Sequence, residues 1–174
     1  MLETILFIAG SIPIVWVSIP SLRRPGSHGY YRFFAWEIIL GTFLINVRAW
    51  FQNPFRWYQI ISWGLLIASL VAIIEGIFLL RTVGKPTDPL EATTTLVTRG
   101  VYRLIRHPLY ASLLFLVWGI FFKSPALLVG CLAAVATGFL YTTARADEGE
   151  CLKKFGNGYA EYMKRTRMFI PFLF

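Results

Sequence analysis

Residues 57–80, WYQIISWGLLIASLVAIIEGIFLL, carry one charge, Glu75. At ~1.5 Å per residue such a helix reaches roughly 36 Å, enough to cross a ~30 Å hydrocarbon core with some tilt. A run of this kind fixes the chain as helical and membrane-embedded before any other residue is considered. Residues 2–19 form a second apolar stretch, ending at Pro20 and the Arg23-Arg24-Pro25-Gly26 breaker. Basic residues follow this stretch rather than precede it, which reads as a retained first helix and not as a cleaved leader. Residues 33–50 form a less pure helix containing Glu37, Asn46 and Arg48. Residues 109–144 are apolar almost throughout, broken at Lys123-Ser124-Pro125, and read as a helical hairpin with arms 109–122 and 126–144.

Composition agrees with that reading. Hydrophobic residues make up 56% of the chain and charged residues 15%, whereas soluble domains sit near 45–50% and about 25%. A water-surrounded globule and a disordered chain are both excluded. The net charge of +8 would suggest nucleic acid in a soluble protein, so its distribution decides. With the N-terminus outside, Arg23, Arg24, Arg32, Arg81, Lys85, Arg99, Arg103, Arg106, Arg145, Lys153, Lys154, Lys164, Arg165 and Arg167 fall on the inner side. Only Arg48, Arg56 and Lys123 fall outside. That positive-inside bias predicts five spans, the N-terminus outside and the C-terminus cytoplasmic. The expected partner is the lipid bilayer, and no nucleic acid is expected. Cys131 and Cys151 form neither a disulfide framework nor a ligand spacing, and the two histidines are far apart, so no metal is expected.

Two cytoplasmic segments carry the residues able to do chemistry. In 96–110, LVTRGVYRLIRHPLY, Arg106, His107 and Tyr110 cluster around Pro108, which suits the first position of a helix. The free N–H groups of that helix would receive an anion; equally, Arg103 and Arg106 would serve only as headgroup anchors. In 144–167, ARADEGECLKKFGNGYAEYMKRTR, Asp147 and Glu148 emerge at a membrane exit beside Arg145. Acids near lipid need a partner or a ligand, so they await a cationic ligand or pair with Arg145 or Lys153. Tyr159 and Tyr162 share a helix face. Glu75 is either functional or snorkels toward Arg81. Glu37 and Asn46 suit hydrogen bonds between helices. Phosphate loops, HExxH helices, CxxC pairs and GxSxG elbows are all missing from the sequence.

The segment Gly100-Val101-Tyr102-Arg103-Leu104-Ile105-Arg106-His107-Pro108-Leu109-Tyr110 resembles the GxYxxxRHPxY motif of the isoprenylcysteine carboxyl methyltransferase and phospholipid methyltransferase superfamily. Asp147-Glu148, Phe155-Gly156, Tyr159, Tyr162 and Pro171 are similar to its acidic pair, FG step, tyrosines and terminal proline. The resemblance covers residues 85–174. It implies an all-α integral-membrane enzyme forming a single domain over 1–174. Three N-terminal spans would occupy 1–80, and 81–174 would form a methyltransferase core. The cofactor site would lie between the last two spans and their flanking loops, with a cytoplasmic C-terminal helix.

The implied cofactor is S-adenosylmethionine. By resemblance, Thr94, Thr95, Leu96 and Val97 approach it through backbone. Tyr102, His107, Pro108, Leu109 and Tyr110 line it, and Asp147 and Glu148 meet its ammonium or ribose. The acceptor is expected to be a lipophilic small molecule or lipidated group. Arg145, Arg165 or Arg167 would hold it if it is anionic, with Glu148, His107 and Arg145 as catalytic candidates. An amine acceptor, as in a phospholipid N-methyltransferase, would need Glu148 or His107 as a base. The Lys153-Lys154-Phe155-Gly156 step also resembles the tail of NADPH-dependent sterol reductases, and a non-catalytic membrane protein is the remaining alternative. The pair here is Asp-Glu where the family often has Glu-Glu, and Thr94 stands where some relatives carry histidine.

Overall fold

The computed structural model describes residues 2–85 and 94–171. Among the described residues six α-helices follow in order: α1 (Leu2–Leu22), α2 (His28–Asn46), α3 (Trp57–Thr82), α4 (Pro108–Phe121), α5 (Leu127–Phe155) and α6 (Asn157–Arg165). Short 3-10 turns cover Val47–Ala49 and Gly100–Arg103. Residues 86–93 and 172–174 lie outside the described residues.

Local chemistry sets the boundaries. The Pro25-Gly26 break holds Gly26 at φ 89°, and Ser27 then caps α2 by accepting from the Tyr30 N–H at 3.3 Å. Pro108 opens α4 at its first position, where its missing N–H removes no helical bond. α5 does not stop at the expected membrane exit near Ala144. It runs the full 29 residues from Leu127 to Phe155, roughly 43 Å, so its charged last third, from Arg145 on, extends past the apolar segment. Gly156, at φ 56°, then breaks the polar helix in two.

α1, α3 and α5 are long and apolar enough to cross a bilayer, with mean hydropathies of 2.0, 2.3 and 1.8. α2 falls outside that group because it carries Arg32 and Glu37, and α4 because it has only 14 residues. The five expected spans are therefore three by length and composition, with two shorter or more polar helices packed among them. α1 packs on α2, α2 on α5 and α4, and α4 on α5 and α3. Without a hydrophobic drive in lipid, such contacts depend on close approach and polar bonds. Ser62 and Ser69 of α3 donate to the carbonyls of Gly119 and Ser112 at 2.7 and 2.8 Å. A Cβ on Gly119 would meet Leu66 at 2.9 Å. Glu37 accepts from Ser11 at 2.6 Å, and Asn46 donates to the Ile120 carbonyl at 2.8 Å, so both polar residues bond between helices as expected.

The α4–α5 hairpin end is closed by Lys123, which is 1% exposed rather than a surface charge. Its ammonium lies 3.4 Å from the centroid of the Trp63 ring and 3.2 Å from Gln59 Oε1. Gln59 returns a bond to the Lys123 carbonyl at 2.8 Å.

At the opposite end of α3, Glu75 Oε1 accepts from the Val101 N–H at 2.9 Å. This settles its two sequence readings in favour of a third: the acid anchors the 3-10 turn that opens the motif. Gly100 is required beside it, since φ is +56° and a Cβ would lie 2.6 Å from Leu79 Cδ1 and 2.8 Å from Glu75 Oε1. Glu75→Ala should cost about 1–3 kcal/mol by leaving the N–H unpaired. Glu75→Gln keeps the acceptor and should stay near wild type in thermal unfolding.

Candidate functional site

The segment between α3 and α4 is assembled stepwise. Thr94 and Thr95 donate their N–H groups to the Gly84 carbonyl at 3.0 and 3.2 Å. Both threonines are exposed and close the connection onto the end of α3. Val97 turns inward, 4% exposed. Tyr102 sits in the 3-10 turn, and its carbonyl accepts from the Tyr162 hydroxyl at 2.6 Å. The next residues pair in parallel with the tail. The Arg167 N–H donates to Leu104 O at 3.0 Å, Arg106 N–H to Arg167 O at 2.7 Å, and His107 N–H to Met168 O at 3.2 Å. This extended pairing puts Ile105, Met168 and Phe169 against Ala111 and Ala144, at the start of α4 and along α5.

Arg106 is then directed at α5. Its Nε and Nη2 lie 2.8 and 2.7 Å from Glu148 Oε1, while Nη1 donates to the Met163 carbonyl at 3.3 Å and to that of Thr166. Glu148 is 2% exposed, and its second oxygen accepts from Arg145 at 3.0 Å. His107 Nδ1 lies 3.3 Å from Asp147 Oδ2. The buried Nε2 of His107 has no hydrogen-bond partner among the described residues, Glu148 Oε1 being 3.6 Å away. The imidazole stacks on Tyr110, with centroids 5.4 Å apart.

Around these groups lies a recess lined on one side by Leu96, Val97, Tyr102, Arg106, His107, Pro108, Leu109 and Tyr110. Leu80, Asp147, Cys151, Phe155, Tyr159 and Tyr162 complete it. Of the expected cofactor residues, Leu96, Val97, Tyr102, His107, Pro108, Leu109, Tyr110 and Asp147 are brought together. Thr94, Thr95 and Glu148 do not line the recess; Glu148 stands behind it, holding Arg106. Arg145 is spent on Glu148, and Arg165 and Arg167 line a different cleft with Arg103. Arg106, Leu80, Cys151 and Phe155 were not assigned to the site by sequence. The signal available for Arg106 was its place inside the RHP triplet.

The charges of the recess balance one another. Burial opposes charge on His107, but the carboxylates of Asp147 and Glu148 outweigh it and raise its pKa. Burial likewise opposes ionisation of the two acids, and is outweighed by His107 for Asp147 and by His107 and Arg106 for Glu148, so both are lowered. Burial and Asp147 push the Cys151 thiol up to about 12. Burial also raises Tyr159 and Tyr162.

The sign of the resulting pH dependence is fixed. The raised imidazole contributes stability that is complete below its ordinary 6.5 and is lost as pH climbs through the raised value. The lowered acids contribute stability that is lost as pH falls through their depressed values, below the ordinary range of about 4. Thermal unfolding of the purified protein should therefore weaken on both sides of a near-neutral plateau. His107→Gln should remove the alkaline loss and lower the plateau.

Comparison with known proteins follows the same residues. The sequence profile described as phospholipid methyltransferase matches residues 57–157. A methanethiol S-methyltransferase of Pseudomonas deceptionensis is 25% identical over 119 residues, 65% of this chain and 43% of that protein. Methanethiol S-methyltransferase 1 of Bradyrhizobium diazoefficiens is 31% identical over 91 residues, 51% of this chain and 29% of that protein. A cobalt-zinc-cadmium resistance protein of Cupriavidus metallidurans is 37% identical over 77 residues, 44% of this chain and 36% of its own. The matches thus span less than half the length of these relatives. No solved structure matches the chain. With the profile running through α3, the motif segment, α4 and α5, the chain belongs to the phospholipid methyltransferase family.

Proposed function

We propose that this membrane protein uses S-adenosylmethionine to methylate a small lipophilic acceptor bearing a thiol. The observation that carries the reading is the meeting of His107 and Asp147, from opposite sides, in one aromatic recess with an unsatisfied buried Nε2. The residues present fit the cofactor. The Asp147 carboxylate and the ring faces of Tyr102, Tyr110 and Tyr159 suit a sulfonium or ammonium cation. The N-terminal end of α4, with His107 Nε2, suits its carboxylate. When bound, the cofactor supplies a methyl group on a positively charged sulfur. The chain's own work is to orient it, exclude water and admit the acceptor. Glu148 acts in this scheme as a positioning residue, keeping Arg106 and the motif strand in place.

Proton bookkeeping favours the thiol. His107 holds its proton to higher pH than a free imidazole, and Asp147 and Glu148 are weakened as bases. An acceptor must therefore lose its proton largely unaided. A thiol that does so becomes a polarisable anion, the nucleophilic form of sulfur, suited to attack on a methyl group carried by a positively charged sulfur. Apolar Leu80, Leu96 and Leu109 offer such an acceptor a dry approach. The names of the two methanethiol S-methyltransferase relatives point the same way. The five-span topology with the N-terminus outside and the C-terminus cytoplasmic belongs to the same proposal and places the recess where a soluble cofactor is available.

Purified protein given cofactor labelled in its methyl group should transfer label to short alkanethiols, at a rate rising with pH through the thiol range. Phosphatidylethanolamine vesicles should remain unlabelled. Labelling of the phospholipid amine alone would overturn the acceptor class. Labelling of none of these, with oxidation of NADPH instead, would overturn methyl transfer itself.

A further inference from the structure

Beside the pairing of residues 104–107 with 166–168 lies a second cleft that shares no residue with the recess. Arg103 and Leu104 form one wall, and Lys164, Arg165 and Arg167, with Pro171, form the other. Lys164 is held by Glu161 at 2.6 Å. Arg103, Arg165 and Arg167 are exposed and meet no acid among the described residues. Parallel pairing of Leu104–His107 with Thr166–Met168 brings these like charges to one cleft. Their mutual repulsion works against the very bonds that place Arg106 and His107. Leu104, 45% exposed, adds an apolar surface beside the cations.

The cleft lies beside an apolar cluster. Two residues beyond Arg167, Phe169 packs with Met168 against Ala111 and Ala144, and Ile170 joins Leu114 and Phe115 in the same cluster. The tail therefore dips back among the apolar turns of α4 immediately after its arginines. Pro171 follows at the cleft. Three guanidinium groups that meet no acid among the described residues, beside an apolar shelf, match a phosphate group attached to acyl chains.

We propose that this cleft binds the phosphate of an anionic phospholipid, which bridges the motif strand to the tail. The lipid is not the methyl acceptor, because the cleft shares no lining residue with the recess. By cancelling the repulsion between Arg103 and the Arg165–Arg167 pair, it tightens the pairing that positions Arg106 and His107. Membrane charge thereby becomes a condition for a well-formed site. Binding itself stands apart from the reading of the recess; only its consequence for the cofactor rests on that reading.

The test uses the full chain in lipid nanodiscs of phosphatidylcholine, with and without phosphatidylglycerol, read by thermal unfolding. Phosphatidylglycerol should raise the unfolding midpoint of the wild type by several degrees. It should do the same for a control carrying Arg99→Gln, Lys153→Gln and Lys154→Gln, which removes equal charge elsewhere. A variant carrying Arg103→Gln, Arg165→Gln and Arg167→Gln should lose the shift. In phosphatidylcholine alone that variant should unfold no earlier than wild type, since self-repulsion has been removed. An equal shift in both triple variants would overturn the site, as would its loss from both. Full stabilisation by inorganic phosphate in phosphatidylcholine discs would overturn the lipid as its source.

Discussion

The arrangement depends on one buried ion pair. Glu148, almost without solvent contact, receives Arg106 through two nitrogens, and the same guanidinium binds carbonyls of α6 and the tail. One side chain therefore joins the motif strand, the protruding part of α5 and the C-terminal segment. A buried pair of this kind is a poor source of net stability, because removing two charges from water costs about as much as their attraction returns. Its value here is positional. Breaking it removes the nearest opposite charge from a buried group, so alternative placements of the motif segment are disfavoured. His107, the next residue, inherits that placement and is presented to Asp147 with one ring nitrogen to spare.

The helices below convert this local constraint into a fixed site. α3 and α4 approach closely through Ser62, Ser69, Gly76 and Gly119, with Gly76 admitting Leu109 and Pro108. α3 also supplies Glu75 to the Val101 N–H. The same helix is held at its other end by the Lys123, Gln59 and Trp63 cluster. A rod tied at both ends cannot slide, so the start of the motif keeps its height relative to Asp147. The recess is thus a product of packing in the apolar layer, although its polar groups lie outside it.

Much of this was legible in the residues. Apolar runs located α1, α3 and α5, and the RHP triplet with the Asp147-Glu148 pair marked the two sides of the recess. The individual tasks were harder to read. Glu148 sits beside Asp147 in sequence, yet successive helical positions differ by about 100°, so one acid faces the recess and the other faces Arg106. The pairing of 104–107 with 166–168 is too short to leave an alternating pattern, and it joins segments far apart in the chain. Arg165 and Arg167 were therefore grouped with the acceptor, and the structure shows them lining a cleft separate from the recess. Lys123, counted as a surface charge, is buried because two indoles and a glutamine happen to converge on it, which composition does not encode. Gly156 was legible only as part of a motif, although its positive φ is what ends α5.

The central claim is that the recess between the motif segment and α5 holds S-adenosylmethionine. Calorimetric titration with S-adenosylhomocysteine addresses it without requiring the acceptor. The account predicts saturable one-site binding to the wild type, weakened at least tenfold by His107→Ala, and no binding of NADPH. Unchanged affinity in the His107 variant, or binding of NADPH in place of the adenosyl compound, would contradict it.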